Sequence, residues 1–141
     1  MIIRKATSED ALDVLAWRND PLTRAMSRVQ DVVEEASHGA WFSKAINDPR
    51  RTVLIGELDE QKIGMVRFDH GDETEISINI NPSFRGRGLG YQLLCAALAY
   101  VGGPIVAEIR DDNIASLRLF ERAGFVCDSA VGGLHRYLRS Q

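Results

Sequence analysis

The sequence predicts an α+β domain built on a mixed, mostly antiparallel twisted sheet of six to seven strands, with helices on both faces. Apolar residues that alternate with polar ones indicate strands, and apolar stripes of helical period indicate helices. Their order is strand, two helices, three strands, helix, strand, helix, two strands, which excludes a purely parallel sheet. A length of 141 residues with 45% hydrophobic residues suits a single domain over residues 1–141.

A first strand is predicted at residues 2–6, followed by a helix with Ser8 as N-cap that runs to about Trp17. Its apolar stripe consists of Ala11, Leu12, Leu15 and Ala16, and Pro21 follows the end of this pattern. A second helix is predicted at residues 34–46. Its buried side is expected to comprise Ala36, Ala40, Trp41, Ala45 and Ile46.

Period-two alternation then predicts a hairpin from strands 52–57 and 62–68 with a turn at residues 59–61. A third strand at residues 74–80 directs its three isoleucines to one face and its polar residues to the other. The isoleucines are Ile76, Ile78 and Ile80, and the polar residues are Glu75, Ser77 and Asn79.

The remaining elements are a leucine-striped helix at residues 88–101, a strand at 105–109 and a helix capped by Asn113. Leu117 and Phe120 should face inward from that helix. Gly124 is expected to take the left-handed position after it, with Phe125 packing back. Strands at residues 126–129 and 134–138 complete the sheet.

Composition excludes several functions. The net charge of −3 lacks the basic excess of a general nucleic-acid binder. Cys95 and Cys127 have no CxxC or Cys/His clustering, so neither a metal site nor a disulfide framework is expected, and a reducing cytoplasm fits. No apolar run approaches the roughly 18 residues that a membrane span needs.

The most informative segment is a glycine-rich turn, Arg85-Gly86-Arg87-Gly88-Leu89-Gly90, between a strand and a helix. Glycine permits positive φ and close approach of a ligand, and the first turn of a helix presents unpaired N–H groups. Such a turn suits a pyrophosphate. It lacks the GK[ST] ending of a P-loop, and its preceding strand follows a hairpin rather than opening a βαβ unit.

This turn resembles the acetyl-CoA signature of the GCN5-related N-acetyltransferase (GNAT) superfamily, which is Arg or Gln, two residues, Gly, any residue, then Gly or Ala. Residues 113–125, ending in Gly124-Phe125, resemble that superfamily's helix-four signature. The resemblance implies the GNAT, or acyl-CoA N-acyltransferase, fold and acetyl-CoA as cofactor. The strand ending near Ile80 would splay from strand 105–109 to admit the pantetheine arm.

The resemblance also implies the coenzyme contacts. Backbone groups near Ile78 and Ile80 would bind the pantetheine amides and polarise the thioester carbonyl, and amides of the glycine-rich turn would hold the pyrophosphate. The full predicted set is Ile78, Ile80, Arg85, Gly86, Arg87, Gly88, Leu89, Gly90, Tyr91, Asn113, Ser116 and Phe120. Asn113 has the alternative role of a pure N-cap.

One residue departs from the pattern. Many members carry a Tyr in the helix-four signature that protonates the leaving thiolate, and this chain has Phe120 there. A thiol of pKa about 8.5 leaves readily as thiolate, so the loss need not abolish turnover. Tyr137 or water is the predicted substitute. The candidates for accepting the ammonium proton, directly or through water, are Glu75, Asn79 and His38; Glu75 has the alternative of a merely solvated strand residue.

The N-terminal half is expected to select the acceptor. The segments that carry this expectation are Trp17-Arg18-Asn19-Asp20-Pro21, Arg24 and His38-Gly39-Ala40-Trp41-Phe42. They resemble the subgroup that acetylates amino groups of nucleotide-linked amino sugars, as in pseudaminic-acid assembly, with ribosomal-protein N-terminal acetyltransferases as near relatives. Arg18 or Arg24 would pair with phosphate, Asn19 would bond hydroxyl groups, and an aromatic ring would stack. The predicted substrate residues are Trp17, Arg18, Asn19, Arg24, His38 and Trp41, although both tryptophans are also suited to a core.

The predicted activity is direct acetyl transfer from acetyl-CoA to a primary amine in a ternary complex. A nucleotide-linked amino sugar is the favoured acceptor, and a protein α-amine is the alternative. A rival from another class is a non-catalytic acyl-CoA sensor, which the missing Tyr would explain. The protein is expected to act as a monomer or homodimer on a small-molecule amine, without nucleic acid or membrane.

Overall fold

At the centre of the sheet the strands Glu75–Ile80 and Ile105–Arg110 lie side by side and run parallel. A computed structural model describes residues 1–27 and 30–140. Its strands are β1 (Ile2–Lys5), β2 (Arg51–Leu58), β3 (Gln61–Asp69), β4 (Glu75–Ile80), β5 (Ile105–Arg110), β6 (Val126–Val131) and β7 (Leu134–Arg139). Their spatial order is β1-β2-β3-β4-β5-β7-β6, and all other neighbours pair antiparallel. The predicted fold class is confirmed.

Helices cover both faces of this sheet. They are α1 (Ala11–Asn19), α2 (Pro21–Met26), α3 (Glu35–Asn47), α4 (Leu89–Tyr100) and α5 (Ile114–Arg122). Alternation along β2 sends Leu54 into a core cluster with Leu93 of α4, and Val53 and Ile55 into a second cluster with Phe42 of α3. The two clusters fix the sheet between the α4–α5 layer and the α1–α3 layer.

The first helix differs from its prediction in its cap and its buried face. Ser8 is not an N-cap: it begins a 3-10 turn (Ser8–Asp10) whose N-cap is Thr7, and Asp10 is the N-cap of α1 itself. The buried residues of α1 are Val14 and Trp17, whereas Leu12 of the predicted stripe is 64% exposed and Ala16 is also exposed. Three-residue spacing from Val14 places Trp17 on the face that meets α3 and the sheet.

A short helix, α2, was not predicted. Pro21 ends α1 but also occupies the first position of α2, where its missing N–H costs nothing. The Asp20 side chain caps α2 by accepting a bond from the Thr23 amide at 3.1 Å. Residues 1–27 and 30–50 therefore hold three α-helices instead of the predicted two.

The buried side of α3 was predicted only in part. Ala45 is buried as expected, Trp41 and Ile46 are half-buried, and Ala36 and Ala40 are exposed. The residues that complete the buried stripe are His38 and Phe42, at helical spacing from Ala45. A polar residue therefore occupies a core position.

The hairpin and the last helix form as predicted. Asp59 and Glu60 both have positive φ, at 51° and 65°, as a two-residue turn between twisted strands requires. At the end of α5 the Phe125 amide donates to the Phe120 carbonyl at 3.0 Å, and Gly124 has a φ of 93°. The Phe120 and Phe125 rings meet edge to face, which completes a Schellman cap.

No helix among the described residues is long and apolar enough to cross a membrane.

Candidate active site

A cleft opens where β4 and β5 separate. They share one register pair, Glu75 with Val106, and the Val106 amide donates to the Thr74 carbonyl at 2.8 Å. Past this point β4 pairs only with β3, over the whole stretch from Glu75 to Ile80. This is the splayed arrangement that the resemblance implied.

The alternating direction of the backbone hydrogen-bonding groups along β4 shows which of them face the cleft. At the β3 edge the Asn81 amide donates to the Ile63 carbonyl at 2.8 Å, so odd-numbered residues of β4 direct their backbone groups to β3. Thr74, Ile78 and Ile80 therefore direct theirs toward β5. Ile78 and Ile80 lie where the partner strand has moved away, so their N–H groups, with the Ile78 carbonyl, can bind a ligand that takes a strand's place.

The glycine-rich turn forms the outer end of the cleft. Gly86 and Gly88 have φ values of 74° and 73°, and no heavy atom lies within 4 Å of a Cβ built at either position. Gly88 is the N-cap of α4 and provides no side-chain bond to the first turn. The first amides of α4 are thus left for a ligand, and their positive end of the helix dipole suits an anion.

The cleft has a volume of about 560 Å³ and is bounded by β4, the turn, α5 and α2. Its wall includes Ile78, Asn79, Ile80, Arg85, Gly86, Gly88, Leu89, Gly90, Asn113, Ser116 and Leu119, with Leu22, Thr23, Met26 and Ser27 from the α2 segment. Most of the predicted coenzyme residues therefore lie together. The Asn113 side chain also accepts the Ser116 amide at 3.3 Å, so it caps α5 while lining the cleft.

Three predicted coenzyme residues direct their side chains elsewhere. The Arg85 guanidinium bonds Asp20 and Thr23, linking the turn to α2. Arg87 lies over the Phe84 ring, and Tyr91 lies under Arg122, with 3.9 Å between the guanidinium carbon and the ring centroid. For Arg87 and Tyr91, only the backbone is placed to contact a ligand in the cleft.

A second cavity, the acceptor cavity, adjoins the cleft through Ile78, Asn79, Asn113 and Ser116 and measures about 290 Å³. Its charged lining comes from Arg18, Asp31, Arg67, Glu108 and Arg110, and its uncharged lining includes Trp41, Ser77, Asn79 and Phe120. It is open to solvent and strongly polar. Two ligands could therefore enter through separate cavities and meet at β4.

Arg18 is held at this cavity by two neutral neighbours. Its Nη1 donates to His38 Nδ1 at 3.0 Å, and its guanidinium carbon lies 4.7 Å from the Trp41 ring centroid. His38 Nε2 lies 2.8 Å from the Ala11 carbonyl, which can only accept, so Nε2 carries the hydrogen. Burial, together with the charge of Arg18, holds the pKa of His38 below its usual value.

Comparison with known proteins identifies the family. The sequence profile of the acetyltransferase (GNAT) domain matches residues 1–126. The chain belongs to the GNAT family.

Similarity to individual proteins supports the assignment of this chain to the GNAT family. The chain is 39% identical over 88 residues to the N-alpha-acetyltransferase RimI of Mycobacterium tuberculosis, covering 61% of this chain and 52% of that protein. It is 31% identical over 93 residues to the uncharacterized N-acetyltransferase YfmK of Bacillus subtilis, covering 62% of this chain and 63% of that one. The chain thus spans less than two thirds of these relatives. Spermidine N-acetyltransferase from Vibrio cholerae, solved with CoA and spermine, shares the fold at a TM-score of 0.87 and 18% identity, over 99% of this chain and 95% of that one.

Several predicted substrate residues of this GNAT domain lie outside the acceptor cavity. Trp17 is 5% exposed and packs in the core. Asn19 exchanges two bonds of 2.8 Å with the backbone of Val33, so its amide serves a loop. Arg24 donates to the Asn19 carbonyl at 3.3 Å, and buried His38 supports Arg18. Of the six predicted residues, Arg18 and Trp41 line the cavity.

The predicted catalytic residues are also separated. Asn79 lines both cavities, whereas Glu75 lies at the closed end of the cleft, where β4 still pairs with β5. Tyr137 is buried and donates to Glu121 at 2.8 Å; burial, then that bond, raises its pKa to about 12. Tyr137 lines neither cavity, so the geometry does not support it as the proton donor.

Two carboxylates at the acceptor cavity, Glu108 and Asp31, were missed by the sequence reasoning. Glu108 interrupts the otherwise apolar strand Ile105–Ile109. A carboxylate in such a strand was the available signal, since it needs a polar surface to face. Among the described residues no group of three or more His, Cys, Asp or Glu side chains is placed to hold a metal ion.

Proposed function

We propose that this GNAT domain is an N-acetyltransferase that uses acetyl-CoA to acetylate a primary amine by direct attack in a ternary complex. The observation that carries the proposal is the cleft between β4 and β5. It combines ligand-facing strand amides at Ile78 and Ile80 with an uncapped helix N-terminus at Gly88. An acyl-CoA needs both features, because pantetheine carries amides and the coenzyme carries a pyrophosphate.

The amides of the α4 first turn would hold the pyrophosphate, and Gly86 and Gly88 leave room for its approach. The Ile78 and Ile80 backbone would bind the pantetheine in place of a strand. The Ile78 N–H is suited to polarise the thioester carbonyl, because it is fixed in the sheet before the substrate arrives.

Acetyl-CoA supplies an activated acetyl group as a thioester. The neutral amine of the acceptor attacks its carbonyl carbon, a C–N bond forms, the C–S bond breaks, and CoA leaves as thiolate. Phe120 has no proton to give, so the thiolate takes its proton from water. Glu108 is the cavity carboxylate on the strand opposite β4, and it would accept the ammonium proton through water; Glu75 is the alternative base.

The favoured acceptor is the amino sugar of a nucleotide sugar. Its support is the polar acceptor cavity, which offers guanidinium groups to phosphate and Ser77 and Asn79 to hydroxyl groups. A protein α-amine is the second candidate, favoured by the likeness to RimI.

The test is release of CoA from acetyl-CoA by purified protein with three acceptors: a UDP-amino sugar, a ribosomal-protein N-terminal peptide and spermidine. Turnover with the UDP-amino sugar is expected. Turnover with the peptide alone would move the acceptor to the α-amine class. Tight acetyl-CoA binding without turnover on a broad amine panel would instead support the non-catalytic sensor.

A further inference from the structure

Three arginines line the acceptor cavity among the described residues, and they differ in their ion pairs. Arg67 pairs with Asp69, with Nη2 and Oδ2 at 3.1 Å, and Arg110 pairs with Asp112 at 2.7 Å. Within residues 1–27 and 30–140 Arg18 forms no ion pair, and its guanidinium contacts the neutral His38 and the Trp41 ring. Glu108 and Asp31 also line the cavity, so Arg18 is the arginine there without a directly paired carboxylate among these residues.

Its surroundings increase the demand for an anion. Burial, and then repulsion from Arg67, lowers the pKa of the Arg18 guanidinium, although the group stays charged. The Arg67 guanidinium carbon lies 5.4 Å from the same Trp41 ring. An anion entering the cavity would replace water lost around Arg18 and reduce the repulsion between the two cations.

Arg18 is also fixed in place before any ligand binds. His38 is 1% exposed, and its bond to Ala11 leaves Nδ1 as an acceptor for Arg18. The His38 ring is further stacked on Phe42, with centroids 5.5 Å apart. A guanidinium held in this way loses little side-chain freedom when it binds an anion.

We propose that Arg18 is a specificity residue that binds a carboxylate or phosphate group of the amine acceptor, and that His38 is its positioning residue. The inference rests on the proposed acetyl transfer and names the acceptor class: an amine that also carries an anionic group. Polycations such as spermidine are disfavoured, because a second ammonium group close to Arg18 would be repelled by a guanidinium that has no ion-pair partner among the described residues.

The test uses three amino sugars that differ in charge: glucosamine, glucosamine 6-phosphate and muramic acid, which carries a carboxylate. With wild-type protein, kcat/KM should be at least about tenfold higher for one or both anionic sugars than for glucosamine. The phosphate and carboxylate arms distinguish the two sources of the anion. In Arg18→Gln the preference should vanish, whereas Arg18→Lys should keep part of it.

Arg136→Gln is the matched control. Arg136 lies on β7 outside both cavities and pairs with the exposed carboxylates of Glu73 and of Asp128 on β6, so its loss should keep the preference. His38→Gln should raise KM for the anionic sugars but not for glucosamine. A loss of fold alone would affect all three sugars alike.

Calorimetric measurement of the binding of the same sugars to the CoA-saturated protein distinguishes the acetyl-transfer proposal from the anion-site proposal. If no acceptor releases CoA but anionic sugars bind with an Arg18-dependent advantage, the transferase proposal fails and the anion site stands. Equal binding and equal turnover of neutral and anionic sugars by wild-type protein would overturn the anion site, as would a preference that survives Arg18→Gln.

Discussion

Gly88 shows how a single backbone conformation prepares the coenzyme cleft. Its φ of 73° turns the chain into α4 while the space above it stays open. A side chain at this position meets no protein atom, so its cost is conformational in the free protein and steric only toward a ligand. The chain offers a matched site in Gly103, which has a φ of 92°, equally open surroundings and a position outside both cavities.

We expect Gly88→Ala and Gly103→Ala to destabilise the protein to a similar extent, by about 1–2 kcal/mol each, because both place a Cβ in the left-handed region. Only Gly88→Ala should weaken acetyl-CoA binding, by at least about tenfold, since its methyl group enters the pyrophosphate space. Urea unfolding and calorimetric titration measure the two effects. An equal loss of acetyl-CoA affinity in both variants would argue that strain, and not the site, is responsible.

Glu108 and Glu75 provide a second residue-scale comparison. Glu108→Gln should lower kcat by about 10²-fold near pH 7, with less effect at high pH where the amine is already neutral. The KM for acetyl-CoA should hardly change. Steady-state kinetics across pH check this, with Glu75→Gln as the paired variant. A larger loss in Glu75→Gln would transfer the role of base to Glu75.

At the scale of elements, the site depends on how closely α4 approaches the sheet. Gly64 of β3 faces Gly56 of β2, and these two glycines leave room for Leu93 of α4. A Cβ at Gly64 would lie 2.4 Å from the Asn79 carbonyl oxygen and 2.9 Å from Leu93 Cδ2. The same glycine therefore sets the position of α4 and of the cleft-lining end of β4.

Gly64→Ala should destabilise the fold by about 1–3 kcal/mol, because backbone at Asn79 has to move. It should also raise the KM for acetyl-CoA, since that backbone borders the cleft. Gly39→Ala is the control: it lies in α3 with nothing within 4 Å, and helix propensity predicts a gain of up to about 1 kcal/mol. Thermal unfolding compares the two, and a neutral Gly64→Ala would contradict the close packing described.

The elements that periodicity predicted well are those whose partners are local. The three isoleucines of β4 and the Schellman cap at Gly124 follow from two-residue alternation and from one glycine near a helix end. The short helix α2 was not predicted, because Pro21 both ends one helical pattern and begins the next helix. The position of His38 could not be predicted from local pattern, because its hydrogen-bond partners Ala11 and Arg18 lie 27 and 20 residues away in sequence. The placement of site residues from the N-terminal half is decided by such distant contacts.

At the scale of the whole molecule, a buried carboxylate ties the N-terminus to the sheet. Asp10 is 1% exposed and accepts two bonds of 2.9 Å from Arg4 of β1, with Lys62 of β3 at 2.8 Å and the Thr7 amide at 2.8 Å. Burial alone would raise the pKa of Asp10, but these bonds outweigh burial and hold the pKa well below its usual range. The group joins β1, the start of α1 and β3.

Asp10→Asn should cost about 2–4 kcal/mol at pH 7, because two cations lose a shared buried partner. The folded-state pKa is below the unfolded value of about 3.9, so the wild-type advantage is full above about pH 5 and shrinks as the pH falls through 4 toward the lowered pKa. Urea unfolding at pH 7, 5 and 3.5 measures the difference in free energy of unfolding between the wild-type protein and Asp10→Asn. Asp13→Asn, which removes an exposed partner of Lys62, should cost under about 1 kcal/mol, and a similar cost in both variants would contradict the special role of Asp10.

Acetyl-CoA is expected to bind as a substitute strand between β4 and β5, and NMR measurement of hydrogen exchange at individual amides tests this directly. Saturating acetyl-CoA should slow exchange at the Ile78 and Ile80 amides, which face the cleft. The Ser77 and Asn79 amides, already bonded to β3, should exchange slowly with or without it. Unchanged exchange at Ile78 and Ile80 in the saturated protein would contradict the account.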